Sequence, residues 1–180
     1  MCASCLIQPP PWDRVTVALD YRFPVDALVQ RFKFNRSLAC CDVLARELAR
    51  AVGLVVDAAR RPCAIVPVPL HRSRHVSRMF NQSDLLARFV GKQMNIPVNN
   101  VLLSRVRKTH AQSGLDAKSR QKNTHGAFHC HFHRAKGIRH VALVDDVMTT
   151  GATLTACTRE LKRAGIGEIS IWVAARAPPP

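Results

Sequence analysis

Aromatic residues are scarce in this 180-residue chain, which has seven Phe, two Trp and one Tyr. So few rings leave little from which to build the stacking platforms that grip single-stranded nucleic acid. Acidic residues are scarce too, 12 against 27 Lys and Arg, for a net charge of +15. No apolar run approaches the ~18–20 residues of a membrane-spanning helix. The N-terminus also lacks the charged-then-apolar pattern of a secretory signal. Membrane insertion is therefore not expected, and a cytoplasmic location is the simplest reading. Seven cysteines, with Cys40 and Cys41 adjacent, do not suit a disulfide framework. Cys63 and Cys157 sit in apolar patterns and read as small core residues. No repeat or interdomain linker is visible, and the length fits one domain with a sizeable core.

What is present is concentrated in Val141-Ala142-Leu143-Val144-Asp145-Asp146-Val147-Met148-Thr149-Thr150-Gly151-Ala152-Thr153-Leu154. A short apolar run bounded by a turn signal predicts a buried parallel strand over 141–144. The small and hydroxylated residues after it predict a helix start, with Thr149, Thr150 or Thr153 as caps. Unpaired backbone N–H groups and the positive end of the helix dipole would favour a phosphate there. Gly151 and Ala152 permit close backbone approach, and the threonine hydroxyls add donors. Asp145 and Asp146 would repel phosphate at contact distance, so they are expected to face the hydroxyls of a ligand. A ribose 5-phosphate meets both demands.

This segment resembles the phosphoribosyl-pyrophosphate (PRPP) motif of type I phosphoribosyltransferases. Two other blocks narrow the resemblance to the ComF/GntX family, which is similar to amidophosphoribosyltransferases. One is Ile65-Val66-Pro67-Val68-Pro69-Leu70-His71-Arg72-Ser73-Arg74, with Arg78-Met79-Phe80-Asn81-Gln82 after it. The other is Thr109-x-x-Gln112-x-x-Leu115, with Arg120, Asn123, Gly126, Ala127 and Phe128 following. Met79 stands where the family usually has glycine. The resemblance covers essentially the whole chain.

It implies an α/β type I phosphoribosyltransferase-like fold, a parallel sheet with helices on both faces and a basic flexible loop. It implies Mg²⁺-dependent transfer of a 5-phosphoribosyl group from PRPP to an unknown acceptor, with DNA uptake as the cellular context. In that reading Asp145, Asp146, Arg72 and Arg74 carry the chemistry, and Leu70, His71 and Ser73 complete a pyrophosphate loop. Val147, Met148, Thr149, Thr150, Gly151, Ala152 and Thr153 hold the ribose phosphate. Arg105, Lys108, Arg120 and Lys122 are candidates to fold over the site. Two alternatives keep the same motif: a PRPP-binding regulator without turnover, and an accessory protein handling single-stranded DNA or serving the DNA-uptake machinery. The distribution of charge suits a PRPP or other phosphorylated-ribose site. Residues 60–78 hold Arg60, Arg61, Arg72, Arg74 and Arg78 without an acid, and residues 104–125 hold six cations against Asp116. Basic charge alone gives only salt-sensitive nucleic-acid binding.

Cys2-x-x-Cys5 is half of a four-ligand zinc site, and no second pair follows at ribbon spacing. ComF-like proteins usually begin with a cysteine-rich zinc module, so this pair resembles its last knuckle; either the chain begins late or the module has been lost. Zinc is not expected on Cys2 and Cys5 alone. His129-x-His131-x-His133 has the look of a metal clip, but alternation also describes one face of an exposed strand.

Along the chain, residues 1–22 are expected to be an irregular N-terminal segment with an edge strand at 15–19, and 23–180 the phosphoribosyltransferase-like domain. Helices are expected over 25–34, over 38–53 with Leu38, Cys41, Leu44, Ala45, Leu48 and Val52 inward, over 83–94, and over 152–164. Strands are expected at 64–68, 98–103, 128–132, 141–144 and 168–173. Alternation of strands and helices implies a parallel sheet whose ligands bind beyond the strand C-termini, where Leu70 and Asp145 lie. Residues 104–125 form a long loop without apolar period, the mark of a functional lid.

Overall fold

The computed structural model describes residues 9–35, 37–70, 80–107, 124 and 126–178. Within them a four-stranded parallel sheet runs in the order β1-β6-β5-β2. These strands are β1 (Arg14–Asp20), β2 (Ala64–Pro67), β5 (His140–Met148) and β6 (Glu168–Arg176). A separate antiparallel pair joins β3 (Leu103–Arg105) to β4 (Phe128–Cys130). The helices are α1 (Val25–Asn35), α2 (Leu38–Gly53), α3 (Gln82–Met94), the single turn α4 (Phe132–Ala135) and α5 (Ala152–Arg163).

Apolar strands flanked on both faces need two cores. On one face Val29 and Phe32 of α1, Leu44 and Leu48 of α2, and Leu86 and Val90 of α3 pack on Ala142, Val144, Trp172 and Ala174. On the other, Leu154, Cys157 and Leu161 of α5, together with Leu103, Phe128 and Cys130, cover Val141, Leu143, Ile171 and Val173. Helices therefore lie on both faces, as expected. At Gly91 of α3 the following chain approaches closely: a Cβ there would lie 2.8 Å from the Ile96 carbonyl oxygen and 2.9 Å from a Val98 methyl.

Several expectations need correction. The expected strand over 98–103 is broken: Val98 makes one parallel bridge to Ile65, and the chain turns at Asn99, whose side chain accepts from Val101 N at 3.4 Å. Strand pairing resumes at Leu103, in the other sheet. The strand expected at 128–132 stops at Cys130, and Phe132 opens a helical turn. Cys63 is exposed, although Cys157 is buried as expected. Leu38, assigned to the inward stripe of α2, is 62% exposed at the helix start.

The edge strand of the N-terminal segment is β1, paired with β6 from Arg14↔Ser170 to Asp20↔Arg176. Asp13 anchors it by accepting from Ile169 N at 2.7 Å and Lys162 Nζ at 2.8 Å.

Candidate functional site

Strand β5 sits between β2 and β6, but its two neighbours differ in length. β2 pairs only as far as Pro67↔Val144, whereas β6 accompanies β5 to Met148↔Arg176. The strand does not end before the acids, as expected from 141–144; Asp145 and Asp146 lie inside it, where one edge has lost its partner. Val141–Val144 reads as uniformly apolar because both faces of the sheet are covered there, Ala142 and Val144 on one side and Val141 and Leu143 on the other.

The first turn of α3 comes in beside the freed edge. Asn81 caps this helix through Ser83 N at 3.1 Å and donates its amide to Val68 O at 3.0 Å. That clamp ties the helix start to the chain leaving β2, just before Leu70. Ser83 Oγ then donates to Asp145 Oδ1 at 2.9 Å. Asp146 turns to α1, where Lys33 Nζ lies 3.1 Å from its Oδ2. Each carboxylate also accepts the next backbone N–H: Asp146 N to Asp145 Oδ1 at 2.9 Å, and Val147 N to Asp146 Oδ1 at 2.7 Å. Neighbouring strand residues project to opposite faces, so the two acids have different surroundings.

Burial dominates the electrostatics of Asp145, pushing its carboxyl up to about 7, and the Asp146 charge pushes the same way. The Ser83 hydroxyl, the Lys33 ammonium and the Asp146 N–H pull against that rise. Desolvation and a like charge both disfavour ionisation, so this carboxyl exchanges its proton near neutrality.

Past Met148 the chain turns through Thr149 and Thr150, both exposed, into Gly151. Gly151 is the N-cap of α5, with φ 74°, and makes no side-chain cap. The expected capping by Thr149, Thr150 or Thr153 is thus replaced by a left-handed glycine, which offers no side-chain oxygen to the first-turn amides. A Cβ on Gly151 would lie 3.1 Å from both Trp12 and Met148. Trp12 therefore shapes this turn from the N-terminal segment. Asp145, Val147, Met148, Thr149, Gly151, Ala152, Thr153 and Leu154 line a recess of about 30 Å³. That is room for little more than a water, so a phosphate would rest on its mouth.

The foot of the 104–125 loop reaches the same turn. Buried Thr124 donates its hydroxyl to Ala152 O at 3.5 Å. Arg105 packs its guanidinium 5.2 Å from the Phe128 ring centroid. The buried Cys157 thiol is raised first by burial and next by Asp145, while Arg105 opposes the shift; Arg105 and Asp145 thus act on one thiol under α5. His71, Arg72, Ser73, Arg74, Lys108, Arg120, Lys122, Cys2 and Cys5 lie outside the described residues.

The structure thus brings together Asp145 and the 147–153 turn, with Asp146 on the other side of the strand. It adds Lys33, Ser83, Asn81 and Trp12. Of these, Asn81 and Trp12 stand in segments that resemble the family; Lys33 and Ser83 had no local signal.

Comparison with known proteins agrees with the resemblance. No family model matches the chain. Competence protein F of Haemophilus influenzae is 40% identical over 183 residues, covering 98% of this chain and 78% of that protein. DNA utilization protein YhgH of Escherichia coli K12 is 36% identical over 181 residues, covering 97% and 77%. Competence protein ComFC of Bacillus subtilis is 30% identical over 137 residues, covering 76% and 53%.

Among solved structures, the glutamine PRPP amidotransferase of B. subtilis gives a TM-score of 0.48 at 17% identity, covering 74% of this chain and 26% of that one. Adenine phosphoribosyltransferase of Leishmania donovani gives 0.49 at 13% identity, covering 92% and 71%. Near-full-length identity to competence protein F and YhgH is sufficient by itself: the chain belongs to the ComF/GntX family of competence and DNA-utilization proteins.

Proposed function

We propose that this protein binds PRPP at the end of β5 and transfers its 5-phosphoribosyl group to an acceptor, releasing pyrophosphate, in the handling of DNA taken up by the cell. The observation that carries the reading is the junction of β5 and α5. The Asp145 carboxyl, held by Ser83 and raised in proton affinity by its surroundings, sits in the same recess as a glycine-capped helix start. The 5-phosphate would lie on the amides of the first turn of α5, where backbone donors and the helix dipole meet an anion. The ribose hydroxyls would then reach Asp145 and, by displacing Lys33, Asp146.

In the transfer the bond from C1 to the pyrophosphate oxygen breaks, the leaving group keeping the electron pair, and a bond from C1 to the acceptor forms as the acceptor gives up a proton. Positive charge builds on the ring in that transition state, and a nearby carboxylate stabilises it. Asp145 can hold a proton or accept a hydrogen bond at a ribose hydroxyl. No group of three metal-ligating side chains occurs among the described residues. Mg²⁺ would arrive as Mg·PRPP, because this ion keeps several waters and is held largely by substrate phosphate oxygens. Arg72 and Arg74 would stabilise the leaving pyrophosphate, with Leu70, His71 and Ser73 completing the loop around it; Arg105, Lys108 and Arg120 would exclude water.

The test is calorimetry with PRPP and Mg²⁺, followed by pyrophosphate release over a panel of bases, amines and ammonia. Saturable binding with release for one acceptor supports transfer. Binding without release for every acceptor assigns the protein to PRPP-sensing regulation, and absence of binding rejects the site.

A further inference from the structure

A cleft lies away from the β5–α5 turn. It encloses about 340 Å³ and is lined by Asn100, Val101, Leu103, Ser104, His131, His133 and Arg134. Cys130, at the end of β4 beside this cleft, is raised to about 11 by burial first and by Glu160 next. None of the residues lining the cleft belongs to the recess at Asp145 and Gly151.

Its lining is rich in donors: a serine hydroxyl, two imidazoles and a guanidinium, with no carboxylate among the described lining residues. Three imidazoles crowd one another along this edge. The His129 and His131 ring centroids are 5.2 Å apart, and those of His131 and His133 are 6.0 Å apart. The described residues hold no group of three metal-ligating side chains, so the clip suggested by the alternation of His129, His131 and His133 does not form.

The charges around the cleft are largely of one sign. β4 contributes His129, and α4 contributes His133 and Arg134. From α3, Asp84 receives the Asn100 amide at 3.3 Å and is paired with Arg88 at 2.9 Å. From α5, Glu160 is paired with Arg163. The acids of the neighbouring helices are thus already answered by arginines. His131 loses proton affinity first through burial, then through His129, Arg134 and His133. An oxyanion in the cleft would reverse the repulsive part of that shift.

We propose that this cleft is a second anion site, binding the phosphate group of a small phosphate ester through Ser104, His131, His133 and Arg134. The chemistry is that of charge-assisted hydrogen bonds to oxyanions, with arginine able to engage two oxygens at once. The volume suits a small molecule. The site is independent of the reading given for β5 and α5.

Sulfate is the first probe, because it stays dianionic across the range in which imidazoles titrate. At constant ionic strength it should move the His131 and His133 Cε1–H resonances saturably and raise the titration midpoint of His131. Arg134→Gln should weaken sulfate binding about tenfold, the loss of one charge-assisted contact. Inorganic phosphate and ribose 5-phosphate should compete, and binding should persist in Asp145→Asn/Asp146→Asn. Shifts that do not saturate, that ignore Arg134→Gln, or that vanish in the aspartate double variant would overturn the site. Competition by a single-stranded oligonucleotide but by no monoester would overturn the assignment to a small ester.

Discussion

The end of β5 and the cleft beside α4 both gather charge, and they handle it in opposite ways. At β5 each carboxylate already has a protein partner, Ser83 for Asp145 and Lys33 for Asp146. At the cleft, cations and imidazoles face one another while the nearby acids are occupied elsewhere. The first region can hold its shape without a ligand, and a ligand must exchange for an internal contact. The second has no such internal counter-charge among its lining residues, so an anion adds a contact without displacing one. Anion affinity at the cleft should therefore rise as its imidazoles gain charge, whereas at β5 the proposed ligand affinity should follow the state of the partly buried Asp145.

The sharpest way to break this contrast is Asp145→Asn with Asp146→Asn. Loss of two charge-assisted acceptors should weaken PRPP about 100-fold or more, with far-UV circular dichroism unchanged. Unaltered PRPP affinity in calorimetry would remove the acids from the site.

Acidity tests the burial of Asp145. Its folded affinity for the proton is raised to about 7 from an ordinary 3.8, so folding is favoured most at low pH as far as this group is concerned. Its contribution erodes between those two values and is least above the upper one, where the folded state must carry a buried charge. The wild type should lose up to about 3 kcal/mol between pH 5 and pH 8 from this group. Denaturant unfolding of Asp145→Asn should show a smaller loss over the same interval; equal pH profiles would refute the burial argument.

Substitution at the turn should cost somewhat less. Gly151→Val combines a positive φ with collisions against Trp12 and Met148, and should destabilise by about 1–3 kcal/mol. It should also weaken PRPP, because the first-turn amides would shift. Thermal unfolding and calorimetry read the two effects, and full stability would show that the left-handed turn is dispensable.

The smallest effect is expected at Lys33, whose ion pair is partly exposed at 23% and 11% for the two side chains. Lys33→Met should cost about 1–2 kcal/mol, less than a fully buried pair. Much of that should return in Lys33→Met/Asp146→Asn, which no longer strands a carboxylate. A double-mutant cycle without coupling would show that the pair contributes nothing.

The sequence carried the parallel sheet with helices on both faces, because the 3.6-residue stripes of α2 and α3 and the apolar runs of β2 and β5 are local patterns. It misplaced the end of β5, since an apolar run marks only the part buried on both faces, and beyond Val144 the strand continues paired with β6 alone. It also missed the break after Val98, where Asn99 turns the chain between two sheets. The residues of the β5–α5 junction could be named from the motif. Their partners could not.

By itself the sequence determined the alternation of the main strands and helices, the family, and the small-residue turn at Gly151. These follow from neighbours in the chain. Tertiary structure alone decided that Lys33 meets Asp146, Ser83 meets Asp145, Trp12 backs Gly151, and His131, His133 and Arg134 share a cleft with Ser104. Those contacts join residues that no local periodicity relates. Packing helices onto a twisted sheet chooses which distant side chains share a dielectric, and that choice sets the proton affinity of Asp145.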